Sequence, residues 1–287
     1  MNRTSLFIPG QSIGGRFRVD GFLGRGGAGN VLAAVDEKTG KRVALKLLRS
    51  KAALDPVLVE RFRREAKALS GIDHPGVIGV EDAGALDDGT LFLAMELLDG
   101  VTLAQRINRD GPMSAQDLAP VLTGLCDALR AIHAQGILHR DIKPSNIFLP
   151  NPDVSADVVK LVDFGVVKIE GLEGLTREAI SVGTSAYMAP EQLRGRGADL
   201  DARVDVYATG VTLYEAFSGK RPFMTSPELH VYEAILSNRY PSLIEAAPGV
   251  PVAVVKVVER AFAKHAAARF PDAPALATAF AAAANAD

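Results

Sequence analysis

The sequence has one cysteine, almost no net charge and no long apolar run, and each shortage removes a class of protein. A lone Cys126 among 287 residues excludes an internal disulfide framework and suits a reducing compartment. It falls in the apolar helical run Leu122, Leu125, Leu129 and Ile132, where packing rather than thiol chemistry is expected. A net charge of −2 leaves no electrostatic case for nonspecific nucleic-acid binding. No stretch of about 18 apolar residues occurs, and "MNRTSLFIPGQSIGG" lacks a signal-peptide core. The segment is therefore expected to be soluble and cytoplasmic, without membrane contact of its own; a longer, membrane-anchored parent stays open. Internal repeats and a G-x-x-x-x-G-K-[ST] run are also lacking, which removes solenoids and P-loop enzymes.

What is present is ample apolar content, 48% of residues, enough for one large domain or two fused lobes. Residues 16–48 read as three strands, with "EKTGK" turning the second into the third. From Asp55 the period becomes helical (Leu58, Phe62, Glu65, Ala66, Leu69) until "GIDHP" stops it. Two further strands flank the turn "LDDGT". Beyond Gly100 helices dominate, predicted over 114–135, 203–218, 228–237, 252–264 and 273–284, with short strands near 147–149 and 158–162. The fold class is thus α+β: an N-terminal extension (1–15), a strand-rich half (16–98) and a larger helical half (99–287).

Four stretches carry chemistry. "LGRGGAGNV" has Gly24, Gly26 and Gly29 in G-x-G-x-x-G spacing, which suits a backbone that approaches phosphates or a flexible hairpin. Strand residues follow it, where a dinucleotide fold would open a helix. In "VALKLL", Lys46 has apolar neighbours on its own strand face, and it either snorkels to water or meets a carboxylate. Glu65 lies on the apolar stripe of its helix and is the nearest candidate; at the edge of the stripe it is simply solvated. In "HRDIKPSNIFL" and "KLVDFGVVK", Asp141, Asn146 and Asp163 supply three hard oxygen donors. Mg²⁺ needs few of these from protein, so Asn146 and Asp163 suffice, leaving Asp141 to orient or deprotonate a hydroxyl. Read singly, aspartates in loops are turn formers or caps.

From about Phe17 to Ala282 these stretches resemble protein kinases, most closely bacterial serine/threonine kinases of eukaryotic type. The resemblance implies a bilobal fold, with a small antiparallel-sheet N-lobe carrying one main helix and a mostly helical C-lobe. It implies ATP as cofactor with Mg²⁺ (or Mn²⁺), and a nucleotide site formed by Leu23, Gly24, Gly26, Gly29, Val31, Ala44, Lys46, the gatekeeper Met95 and the hinge backbone of Glu96 and Leu98. Lys46 and Glu65 correspond to the family's ion pair, Asp141 to its catalytic aspartate, Lys143 to a charge near the γ-phosphate, and Asn146 and Asp163 to its metal ligands.

Further positions follow from the same resemblance. His139 corresponds to a packed, neutral histidine, and Arg140 to the arginine that answers a phosphorylated activation segment. "GTSAYMAPE" corresponds to the segment that receives a peptide, with Thr184 supporting serine or threonine acceptors and Glu191 paired with Arg269. Asp205 corresponds to the brace of the catalytic loop. Thr176 and then Ser181 are the expected phosphosites, with Glu178 as a permanent partial substitute for a second phosphate or a solvated carboxylate. Val167, Leu32 and "KHAAAR" depart from the common family pattern without removing a catalytic group. The implied reaction moves the γ-phosphoryl group of ATP to Ser or Thr hydroxyls of proteins, including its own activation segment, with a homodimer as the route to autophosphorylation in trans. The alternatives are a pseudokinase that binds partners with little transfer, and a small-molecule kinase, which lacks the "GTSAYMAPE" segment and its Arg269 partner.

Overall fold

The computed structural model describes residues 8–26, 29–48, 56–151, 155, 158–163, 185–195, 200–223 and 229–286. Among these, one unit comprises residues 8–73 and 78–98, and the other residues 74–77, 99–163 and 185–286.

The first unit is an antiparallel sheet with one helix. Strands β1 (Ser12–Ile13), β2 (Phe17–Gly26), β3 (Gly29–Asp36), β4 (Lys41–Leu48), β5 (Val80–Ala85) and β6 (Leu91–Glu96) lie in the order β1-β2-β3-β4-β6-β5. The turn between β3 and β4 closes with the Gly40 N–H on the Asp36 carbonyl at 2.7 Å, and Gly40 has φ +72°, a left-handed value that favours glycine. Alternation along the strands sends Leu32, Ala34, Val43, Leu45, Leu47, Phe92 and Ala94 into one core with Phe17 and Val19. Residues upstream of Phe17 join that core: Ile13 on the edge strand β1 is 8% exposed. Helix α1 (Pro56–Ser70) buries Phe62, Ala66 and Leu69 and lies along β5.

The second unit is built around α5 (Arg203–Ser218). Every residue from Val204 to Phe217 except Glu215 is buried, the pattern of a helix enclosed on all sides. Around it stand α2 (Leu103–Asp110), α3 (Ala115–Ala134), α4 (Pro190–Leu193), α6 (Leu229–Ser237), α7 (Leu243–Ala246), α8 (Val252–Ala261) and α9 (Ala273–Ala284), with a small sheet of β7 (Gly100–Thr102), β8 (Ile147–Pro150) and β9 (Lys160–Leu161). Helices α5 and α8 approach closely at Gly210, where a Cβ would lie 2.8 Å from both Ala261 Cβ and Phe262 N. Cys126 is buried in α3, and burial pushes its thiol up to about 12, consistent with packing.

Among the described residues four helices differ from the sequence expectation: α2, α4 and α7 are not predicted, and α8 ends early. Helix α2 is additional, and its start is fixed by a capping box in which the Thr102 N–H meets Gln105 Oε1 at 2.8 Å and the Gln105 N–H meets Thr102 Oγ1 at 3.2 Å. Helix α8 stops at Ala261 rather than 264. Just beyond it, the carbonyls of Ala263 and Lys264 accept hydrogen bonds from the Arg269 guanidinium at 2.7 and 3.2 Å.

Candidate active site

In the sheet unit, strand register collects a second set of side chains opposite the core. Val31 faces Lys46, Lys46 faces Leu93, and Ala44 faces Met95 across the β3–β4 and β4–β6 pairs. Directly opposed residues share a face, so Val31, Ala44, Lys46 and Met95 lie together. Lys46 is 6% exposed, which rules out an ammonium snorkelling freely to water; a charge this buried has to be answered by the chain. The Glu65 backbone lies in α1, but its side chain lies outside the described residues.

The glycine-rich turn has two kinds of glycine. Gly24, opposite Val31, has open space where a Cβ would be. At Gly29 a Cβ would fall 1.9 Å from the Leu47 carbonyl oxygen, so β4 itself demands glycine there. Gly26 ends β2, and Leu23, beside a β-bulge, stays 53% exposed. At the far end of the sheet, the Glu96 carboxylate accepts the Gly79 N–H at 2.8 Å while the Glu96 N–H reaches the Gly79 carbonyl at 2.9 Å. Leu98 is half-buried just beyond.

In the helical unit, residues 139–146 fold into a compact polar knot. Lys143 Nζ donates to Asp141 Oδ2 at 2.9 Å, and Asn146 Nδ2 donates to the same oxygen at 2.9 Å and to the Asp141 carbonyl at 2.8 Å. These two acceptors fix the amide of Asn146 so that its oxygen turns away from Asp141. The β8–β9 register pairs Ile147 with Leu161, and the Val162 N–H reaches the Asn146 carbonyl at 3.0 Å. Asp163 follows directly, so two hard oxygen donors are brought to one end of a two-stranded ribbon. That donor set fits Mg²⁺ or Mn²⁺, with the remaining ligands coming from phosphate and water.

The knot is held from α5. Asp205, fully buried, accepts the Arg140 N–H on Oδ1 at 2.8 Å and the His139 N–H on Oδ2 at 2.9 Å, and His133 Nε2 meets Oδ2 at 2.8 Å. Burial pushes the Asp205 carboxyl up, but its bonds to His133 and His139 outweigh that and leave it below the usual carboxylate range. Arg140 (φ +62°) and Asp163 (φ +57°) both adopt left-handed backbone, a cost of about 1–2 kcal/mol each that surrounding structure must offset. His139 is buried; its Nδ1 accepts the Asp141 N–H at 3.3 Å and its Nε2 lies 3.1 Å from the Val162 carbonyl. A neutral ring protonated on Nε2 satisfies both contacts.

A second anchor joins Glu191 in α4 to Arg269, between α8 and α9. Arg269 donates to Glu191 Oε1 and Oε2 at 2.6 and 2.9 Å, and its guanidinium stacks over Tyr207 at 4.7 Å. Sequence reasoning missed His133, for which the available signal was Asp205 within the apolar run "DVYATGV", a buried carboxylate that requires donors, and the Tyr187–Glu215 pair, for which the local sequence carries no signal. Thr176, Glu178, Ser181 and Thr184 lie outside the described residues.

A sequence model of the protein kinase domain matches residues 17–270. The chain is 38% identical over 267 residues to the probable serine/threonine-protein kinase PknB of Corynebacterium glutamicum, covering 90% of this chain and 40% of that protein. It is 37% identical over 277 residues to the serine/threonine-protein kinase pkn3 of Myxococcus xanthus, covering 94% of this chain and 50% of the relative. The chain thus spans half or less of the length of these relatives. The PknI kinase domain of Mycobacterium tuberculosis superposes with a TM-score of 0.75 at 28% identity, covering 96% of this chain and 99% of that domain.

Proposed function

We propose, from the premise that this chain belongs to the protein kinase domain family, that it is a serine/threonine protein kinase. It transfers the γ-phosphoryl group of ATP to protein Ser and Thr hydroxyls, its own activation segment included. The observation that carries this reading is the Asp141–Lys143–Asn146 knot with Asp163 beside it at the end of the β8–β9 ribbon. The family works with ATP and a divalent cation, and the oxygen donors Asn146 and Asp163 favour Mg²⁺, with Mn²⁺ as a substitute.

Bound ATP with its cation supplies the phosphoryl group and neutralises part of the charge that spreads in transfer. The chain's residues do the rest. Val31, Ala44 and Met95 line the adenine side, with Leu23 above it and the Glu96 and Leu98 backbone at the hinge. Gly24, with open space around its α-carbon, admits phosphate to the backbone of the loop it shares with Gly26 and Gly29. Lys46, paired with Glu65, fixes the phosphates; Lys143 offsets charge beside Asp141; and Asp141 orients the acceptor hydroxyl and takes its proton. Arg140 reads a phosphate on Thr176, with Ser181 the second site and Thr184 supporting the acceptor. A homodimer delivers that phosphate in trans, and the segment works in the cytoplasm.

The test is ADP release coupled to peptide phosphorylation. Asp141→Asn is expected to lower turnover by about 10²–10⁴-fold, the scale of a positioned acid–base group. Turnover near that of the wild type contradicts the assignment.

A further inference from the structure

Ser12, on the edge strand β1, has no part in the site described above. It is exposed, and its hydroxyl makes no hydrogen bond. Among the described residues every other exposed Ser or Thr hydroxyl is engaged. Most donate to a carbonyl in the preceding turn of their own helix, Ser114 caps α3, and Thr39 and Ser145 bond to groups beside them. Such hydroxyls must give up a partner before they can react. That of Ser12 need not.

Register decides what stands opposite it. The Val19 N–H meets the Gln11 carbonyl at 2.9 Å and the Val19 carbonyl takes the Gly10 N–H at 2.8 Å, so both backbone groups of Val19 point at the N-terminal strand. Those of its neighbour Arg18 therefore point away, and Ser12–Arg18 is a non-hydrogen-bonded pair, the kind in which facing side chains lie closest. Ile13, Phe17 and Val19 fill the core, which puts Ser12 and Arg18 together on the outer face. Arg18 is loosely held: it is 46% exposed and lies 3.3 Å from Asp20 and 3.7 Å from Glu37, against about 2.7–2.9 Å for a tight charge-assisted bond. Arg42 follows in the same row beyond Val35, 3.6 Å from Asp20. A hydroxyl without a partner thus faces a guanidinium with slack contacts, and a second guanidinium shares its carboxylate.

We propose that Ser12 is a phosphorylation site of this kinase and that Arg18 holds the phosphate, fastening the N-terminal strand to the sheet. This inference rests on the kinase reading above. In the step, a bond forms from Ser12 Oγ to the γ-phosphorus of ATP as the bond from that phosphorus to its bridging oxygen breaks; ADP leaves and the hydroxyl proton passes to Asp141. Strand β1 is two residues long and paired on one edge only, so little is lost when it lifts to present the serine. Once made, the phosphate carries about −1.5 to −2 charges and three acceptor oxygens, and it outweighs the single charges of Asp20 and Glu37 as a partner for Arg18.

The test has two arms, both in the full chain. In the first, wild type and Asp141→Asn are incubated with Mg-ATP and the phosphorylated residues are mapped. Ser12 is expected to carry phosphate in wild type, beside Thr176 or Ser181, and not in Asp141→Asn. Phosphate on other residues with none on Ser12 overturns the site. In the second arm phosphoserine is built into position 12 during translation, in the wild-type background and in Arg18→Ala. Hydrogen exchange is followed at the amides of Gly10, Arg16 and Val19, which bond across the hairpin. The phosphate is expected to slow exchange about tenfold, the scale of one hydrogen bond to a charged group, with Arg18 present and not in Arg18→Ala. Exchange unaltered by the phosphate, or slowed equally in Arg18→Ala, overturns the clasp. The second arm needs no phosphoryl transfer, so a wild type that labels no residue at all overturns the kinase reading, and exchange still decides the clasp.

Discussion

Arg269 and Glu191, 78 residues apart in sequence, meet in a two-pronged pair in which no guanidinium N–H is left over. Besides its two bonds to Glu191, Arg269 donates to the carbonyls of Ala263, Arg203 and Lys264 at 2.7, 3.1 and 3.2 Å. Five donors meet five acceptors. Replacing this side chain leaves Glu191 and three carbonyls short of a donor at once. Arg269→Ala is expected to destabilise the protein by about 3–5 kcal/mol, the cost of breaking a buried pair. Arg269→Lys should recover little of this, because an ammonium lacks the planar fork. Denaturant unfolding of the three proteins checks both statements, and a lysine variant as stable as wild type contradicts the second.

Asp205 links stability to pH. Its folded carboxyl titrates below the ordinary value of about 3.9. A depressed carboxylate stabilises the fold above its unfolded pKa, and that contribution is lost as pH falls through the folded pKa. Asp205→Asn should therefore be markedly less stable than wild type at neutral pH, with the gap narrowing below about pH 4. A gap that stays constant down to acid unfolding would show that Asp205 carries no net charge stabilisation.

The sheet unit has its own clamp. Arg16 spans two carboxylates, Asp36 at 2.7 Å and Asp82 at 2.6 Å, and sits over the Phe17 ring at 4.7 Å. Asp36 is nearly buried, and the Arg16 hydrogen bond holds its carboxyl low; Asp82 is 41% exposed. Burial decides which partner matters. Arg16→Leu, which strands Asp36, is expected to cost about 3 kcal/mol, and Asp82→Ala under about 1 kcal/mol. Thermal melts that rank the two variants the other way contradict this account.

Much of this is legible in the sequence alone. Helices α3, α5 and α9 fall within a residue of the predicted spans because each is bounded by strong signals: Ser114 capping α3, Gly219 ending α5, Asp272 capping α9. The loop 139–146 could be read because its groups are local and bond to one another. Helix α2 could have been found from "TLAQ", a capping box of T-x-x-Q form, and α7 from the corresponding Ser242 and Glu245 of "SLIE". What the sequence could not disclose is pairing at long range. Asp36 with Arg16 and Tyr187 with Glu215 join residues whose local patterns give no sign of each other.

The central claim is phosphoryl transfer onto protein hydroxyls under the control of Asp141, and intact-protein mass after incubation with Mg-ATP tests it most directly. Wild type is expected to gain mass in steps of one phosphate, mapping to Thr176 or Ser181, while Asp141→Asn gains none. Steps of equal size and number in both proteins, or none in wild type that demonstrably binds ATP, contradict it.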